Sequence, residues 1–212
     1  MKENSIKTIV LDLGGVYFTS GTVLAIKKIK ELFGIKNYSL LKKFFNDYPN
    51  TEGNLIRRGL ITLKEFEENL VLKLKINEDD LYHLKQIWFG SYLPNYLMEE
   101  LVKKLKEQKN YRLVVFSGNI RERIDFLEKR YGFSKYFDDF VYSFDYKKNK
   151  DDRGFYEELI QHIKCEPNEA ILVDDLLKVI KMAESLGFIG INYLYTKQLI
   201  NEFKRYNIII NL

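Results

Sequence analysis

Four short stretches each place polar residues directly after an apolar run. Asp12 follows Thr8-Ile9-Val10-Leu11 and is followed by Leu13, Gly14 and Gly15. Ser117, Gly118 and Asn119 follow Leu113-Val114-Val115-Phe116. Lys147, Lys148 and Lys150 lie just beyond Phe140-Val141-Tyr142-Ser143, and Asp174 and Asp175 follow Ala170-Ile171-Leu172-Val173. A carboxylate at the mouth of a buried strand is placed for chemistry. Two adjacent acids at such a position repel each other, and a cation relieves that cost. The amides of Gly118 and Asn119 run towards a helix N-terminus, which favours anions. Acids, hydroxyl, amides and lysines together suit an anionic substrate held beside a hard metal ion.

The elements that must position these residues alternate. Continuous apolar runs at Ile6–Leu11, Leu113–Phe116, Phe140–Ser143, Ala170–Val173 and Phe188–Asn192 read as strands buried on both faces, as in a parallel sheet. Helical patterns separate the last four. Gly132 and Gly187 stand where two of these helices stop. The expected fold is α/β, a doubly wound parallel sheet with right-handed crossovers. In an open sheet of this kind ligands bind beyond the carboxyl ends of the strands, where all four polar groups fall.

One region breaks the rhythm. From about Thr22 to Leu93 the apolar spacing is helical throughout, and Thr62 with Glu65 has the form of a capping box. The expected organisation is a core domain of residues 1–20 and 94–212 with an all-helical domain, 21–93, inserted after the first strand. Within it, Trp88 is expected in the helical core or where that domain packs on the sheet domain, and Arg57 and Arg58 on a solvated face, with contact to an anionic substrate as the alternative.

Composition narrows the classes. The 212 residues are 46% hydrophobic and 30% charged, which suits a globular chain. The net charge of +4 comes from lysines and acids interleaved on helical faces, which argues against a nucleic-acid partner. No apolar run reaches membrane-spanning length, and Met1–Lys7 does not read as a signal peptide. Cys165 is the single cysteine, so no intrachain disulfide forms; a reducing, cytoplasmic location is expected. His83 and His162 read as surface or boundary residues.

The order Asp, Ser, Lys, Asp-Asp at successive strand ends resembles the haloacid dehalogenase superfamily, whose members are mostly magnesium-dependent phosphatases. The resemblance runs from Ile6 to about Asn192. The stretch VDDLLKVIKMAESLGFIGINY is similar to the family's acidic pair, amphipathic helix, glycine and final strand. SFDYKKNKDDRGFY resembles the lysine segment, with Lys150 on the lysine; Asp151 and Arg153 replace the family's prolines and Lys147 its glycine, so Lys147 and Lys148 stay open as alternatives. The inserted helices resemble the family's small helical cap, and RRGLITLKEFEENL a recurrent cap segment.

The resemblance implies that Asp12 is the nucleophile, forming an aspartyl-phosphate that splits one hard step into two. It implies that Asp12, the Gly14 carbonyl, Asp174 and Asp175 hold Mg²⁺. Ser117, Gly118 and Asn119 would bind the phosphate of a small phosphorylated metabolite, and Lys150 would neutralise the transferring group. In many family phosphatases an aspartate two places after the nucleophile is the general acid and base. Here that residue is Gly14. Three readings follow: a magnesium-dependent hydrolase of small phosphate monoesters with another proton source, a dehalogenase attacking carbon with a halide leaving group that needs no proton, or a catalytically impaired binding protein.

Overall fold

The computed structural model describes residues 6–210 and 212, so the first five residues of the Met1–Lys7 segment lie outside the described residues. The chain runs β1 (Thr8–Leu11), α1 (Gly21–Leu32), α2 (Tyr38–Phe45), α3 (Glu52–Arg57), α4 (Leu63–Leu74), α5 (Leu81–Gly90), α6 (Tyr96–Gln108), β2 (Arg112–Ser117) and α7 (Arg121–Tyr131). It continues β3 (Asp139–Tyr142), α8 (Ser143–Tyr146), α9 (Arg153–Ile163), β4 (Ala170–Asp174), α10 (Leu177–Ser185), β5 (Ile189–Asn192) and α11 (Thr196–Lys204). No helix among the described residues is long and apolar enough to cross a membrane.

All five strands are parallel, in the order β3-β2-β1-β4-β5. The alternation of side chains builds two apolar layers. Ile9, Leu11, Leu113, Val115, Ile171 and Val173 face α6, α7 and α11. Val10, Val114, Phe116, Leu172 and Val141 face α9 and α10. A sheet covered on both faces explains why its strands read as continuous apolar runs.

The sheet winds outward in two directions from β1, with β2 on one side and β4 on the other. The crevice beyond the carboxyl end of β1 is therefore the topological switch point. Register makes this concrete: Leu11 pairs with both Val115 and Val173, and the Asp12 amide donates to the Val173 carbonyl at 3.1 Å. The carboxyl ends of the three central strands thus open onto the same crevice, with Asp12 beside the end of β4.

Helices α1–α5 lie between β1 and α6 and bury an apolar cluster of their own. Its centre is aromatic: Trp88 sits 4.7 Å from Phe45 edge-on and stacks on Phe66 at 5.0 Å between centroids. Ile120, just before α7, is part of the same cluster, so the helical insertion is packed onto the sheet domain. Thr62 and Glu65 form the reciprocal capping box that starts α4. Gly132 and Gly187 both take positive φ after their helices, as their positions predict.

Three local expectations are corrected. The first and fifth strands begin two and one residues later, at Thr8 and Ile189. The third runs Asp139–Tyr142, because Ser143 turns into the single-turn α8. Arg57 does not lie on a solvated face; it is 5% exposed, because its guanidinium is spent on the Gly53 and Phe45 carbonyls, both at 2.7 Å. Tyr17 and Phe18 are core residues, edge-to-face with Phe137 and Phe133 respectively.

Candidate active site

Asp12 leaves β1 at the switch point and is 9% exposed. Lys150, in the loop between α8 and α9, brings its Nζ to 2.7 Å from Asp12 Oδ1 and 2.6 Å from Asp174 Oδ2. Asp174 is the last residue of β4 and is almost fully buried. Its Oδ1 accepts from the Leu176 amide at 2.8 Å, which fixes the carboxylate. One lysine therefore bridges carboxylates from two adjacent strand ends.

The other two lysines point elsewhere. Lys148 pairs with Glu158 at 2.8 Å, and the Lys147 carbonyl accepts from Arg58 Nε at 3.0 Å at a residue with φ of 56°. Of the three, Lys150 is the one brought to Asp12.

Burial pushes the Asp12 carboxyl up to about 6; Lys150 opposes this and Asp174 adds to it. Burial also works against the Lys150 charge, but Asp12 and Asp174 outweigh it and raise its pKa. Asp175 is raised by burial and then by Asp174 beside it. Removing the lysine leaves two buried carboxylates facing each other. Lys150→Met is thus expected to destabilise the metal-free protein by about 3–5 kcal/mol. Urea unfolding in EDTA measures this, and an unchanged midpoint would refute it.

Asp12, Asp174 and Asp175 each offer a carboxylate oxygen, all within 4.8 Å of one another. Gly14 lines the same cavity as Asp12 and Asp175. Gly15, at φ of 95°, lets Asp175 approach: a Cβ there would lie 2.3 Å from its Oδ2. An all-oxygen donor set of this kind fits a hard divalent cation such as Mg²⁺. When bound, such an ion supplies positive charge against the carboxylates and the oxygens of a bound phosphate.

The cavity, about 440 Å³, is also lined by Ser117, Gly118 and Asn119 from the end of β2. Ser117 is buried at the strand end. The Asn119 amide, expected to face an anion, donates instead to Ser143 Oγ at 3.1 Å, whose hydroxyl donates to the Arg57 carbonyl at 2.6 Å. That chain ties the insertion to the sheet. A larger cavity of about 660 Å³ lies among α1, α2 and α4 and contains none of the strand-end acids.

Four further residues line the cavity opposite the strand ends: Thr22, Tyr92 and Arg123, which the sequence reading did not assign, and Arg57, which it placed on a solvated face. The Tyr92 ring fills the space beside Gly14, where an added Cβ would lie 3.2 Å from its Cε1. It also lies against Gly21, where a Cβ would be 2.2 Å from its Cδ2. Tyr92 and Thr22 share a hydroxyl hydrogen bond of 2.6 Å. The Arg123 guanidinium stands 4.3 Å over the Tyr92 ring and donates through Nε to Asn119 Oδ1 at 2.6 Å. Arg123 had one legible signal: it shares the buried face of α7 with Ile124 and Leu127, an unusual place for a charge.

A family model for haloacid dehalogenase-like hydrolases matches residues 6–187. The chain belongs to this family. An uncharacterised protein of Dictyostelium discoideum is 34% identical over 170 residues, covering 79% of this chain and 70% of that relative. A family enzyme of Bacteroides thetaiotaomicron, solved as a magnesium complex, superposes with a TM-score of 0.75 at 19% identity, covering 94% of this chain and 99% of the other. The L-2-haloacid dehalogenase of Xanthobacter autotrophicus, solved with chloropropionic acid covalently bound, gives a TM-score of 0.62 at 16% identity, covering 94% and 83%. Both structural likenesses concern the fold. The lysine segment and the acidic pair fall within the residues that the family model matches.

Proposed function

We propose that this hydrolase cleaves small phosphate monoesters in a magnesium-dependent reaction with Asp12 as nucleophile. The observation that carries the reading is the meeting of Asp12, Lys150 and Asp174 at the switch point, with Asp175 completing a three-carboxylate cluster. Such a cluster suits a cation, and phosphoryl transfer uses one. The Bacteroides enzyme with the same fold was also solved with magnesium and inorganic phosphate, which is consistent with this choice.

In this reading the phosphate of a small metabolite sits over Asp12, with the Ser117 hydroxyl and Gly118 amide donating to its oxygens. Lys150 holds the Asp12 carboxylate in place through a 2.7 Å contact and offsets negative charge as the phosphoryl group moves. A carboxylate oxygen of Asp12 forms a bond to phosphorus as the ester P–O bond breaks. The alkoxide leaves and takes a proton from solvent. Water then attacks the aspartyl-phosphate, releasing inorganic phosphate and restoring Asp12. The helical insertion, tied to the sheet through Ser143, covers the strand ends and limits water access.

A second reading has its own observation. Gly14 carries no acid, and displacement of halide from carbon needs none. Both readings meet in one experiment: release of phosphate from aryl and sugar phosphates, with and without Mg²⁺, beside release of halide from 2-chloropropionate. Metal-dependent phosphate release is expected. Halide release without phosphate release would overturn the phosphatase reading, and neither product from folded protein would favour a binding role.

A further inference from the structure

Arg57 and Arg123 are 5% and 1% exposed, yet no carboxylate among the described residues forms a salt bridge with either. The two come from different parts of the chain, α3 in the insertion and α7 beside the sheet. Both line the same cavity as Asp12. Arg57 spends its hydrogens on the Gly53 and Phe45 carbonyls and reaches Thr22 Oγ1 at 3.4 Å. Arg123 is less satisfied. Its Nε has Asn119 Oδ1, while its buried Nη1 has no hydrogen-bond partner among the described residues.

An uncompensated buried charge is costly. Burial, with the neighbouring Arg57, draws the Arg123 pKa down to about 10 against the opposing pull of Tyr92 and Asp12, so the guanidinium is still cationic at neutral pH. The faces of Tyr92 at 4.3 Å and Trp88 at 5.5 Å offset part of this cost. They do not supply an anion. Elsewhere in the cavity the cations have partners: Lys150 has Asp12 and Asp174, and Lys178 has Asp151 at 2.6 Å. Asp47, the carboxylate on the insertion side of the cavity, accepts from Asn54 at 2.7 Å and forms no salt bridge with either arginine.

We propose that Arg57 and Arg123 form a second anion subsite, and that the substrate carries a carboxylate or a second phosphate at the end remote from Asp12. This deepens the phosphatase reading and rests on it: the hydrolysed ester lies at Asp12, and the second anionic group lies against Arg123 over Tyr92. The substrate class is then doubly anionic small metabolites, such as phosphorylated acids or bisphosphates. Neutral-ended sugar or polyol monophosphates would leave the arginines unpaired.

The test measures binding, independent of turnover. Asp12→Asn protein with Mg²⁺ is titrated calorimetrically with inorganic phosphate, with glycerol 3-phosphate against 3-phosphoglycerate, and with fructose 6-phosphate against fructose 1,6-bisphosphate. At least one doubly anionic member should bind about ten-fold or more tighter than its partner, the gain of one good charge-assisted contact. The first pair reports a carboxylate and the second a phosphate. Arg123→Gln should reduce that preference to within about two-fold, and Arg123→Lys should restore part of it. If phosphate and glycerol 3-phosphate bind but neither second anion adds affinity, the subsite is refuted while the phosphatase reading stands. Equal weakening of every ligand by Arg123→Gln would assign Arg123 to the reacting phosphoryl group and also refute it. If phosphate and both monophosphates fail to bind, the phosphatase reading fails and the proposal with it. The ligand-pair comparison needs no arginine variant, so it decides even if Arg123→Gln does not fold.

Discussion

Replacement of Asp12 by Asn is expected to remove phosphate release almost completely, by about four orders of magnitude or more in kcat. The amide is nearly the size of the carboxylate but is a poor nucleophile, so no covalent intermediate forms. The fold should survive. Asp12 is a buried acid whose pKa burial raises to about 6, so its charge is held at a cost that Lys150 only partly offsets. A neutral amide removes that cost, while Lys150 keeps Asp174 at 2.6 Å as its partner. Thermal unfolding of the variant should therefore stay close to that of the parent in EDTA. Added Mg²⁺ should raise the parent's melting temperature more than the variant's, because one of the three clustered carboxylates is gone. Retained turnover in Asp12→Asn would place the nucleophile elsewhere and undo the mechanism. An unfolded variant would show that Asp12 is needed for the fold, and Asp12→Ser would then carry the kinetic test.

The acidic half of this site was legible because strand ends are legible. A short apolar run stops where a polar residue begins, and the parallel sheet opens those stops onto one crevice. Asp12, Ser117 and Asp174 could be placed by that logic alone, and the register of β1 with β2 and β4 is its physical expression. Lys150 was harder, since it sits in a loop with other lysines. Its selection depends on Lys148 being drawn away by Glu158 and on Lys147 taking a left-handed conformation after α8. The insertion side was not legible. Tyr92 and Arg57 reach the cavity only because five helices fold back on the strand ends, and periodicity reports a helix's buried face without naming what it is buried against. Arg57 looked like one more charge on a charged helix. Its two carbonyl partners arise from the last residue of α2 and from α3 itself, at residues that show no unusual pattern. Asn119 lines the cavity as expected, but its amide is taken by Ser143, which comes from beyond another strand.

The rate should depend steeply on the leaving group. Aryl phosphates are expected to exceed alkyl phosphates in kcat/KM by about 10²–10⁴, the range that general acid assistance normally supplies. Gly14 has no proton to give, and alkoxides are poor leaving groups without one. Nor is the gap filled by simple restoration. A side chain at residue 14 would meet the Tyr92 ring, 3.2 Å from its Cβ, before any carboxylate is added. That ring is held between Gly14 and Gly21, bonded to Thr22 and covered by Arg123. Gly14→Asp alone should therefore bring little gain on alkyl phosphates, and it should cost stability through overpacking, by about 1–3 kcal/mol. Gly14→Asp with Tyr92→Ala opens the space, and only that pair is expected to narrow the aryl-to-alkyl ratio. The ratio also tests the Tyr92 hydroxyl, whose ring lies against Gly14. If the dependence is flat in the parent and becomes steep in Tyr92→Phe, the phenol of Tyr92 has taken over the acid's task through its bond to Thr22. A steep dependence in both proteins means that Tyr92 fills the acid's space without doing its work, and that the leaving group itself must be stable as an anion.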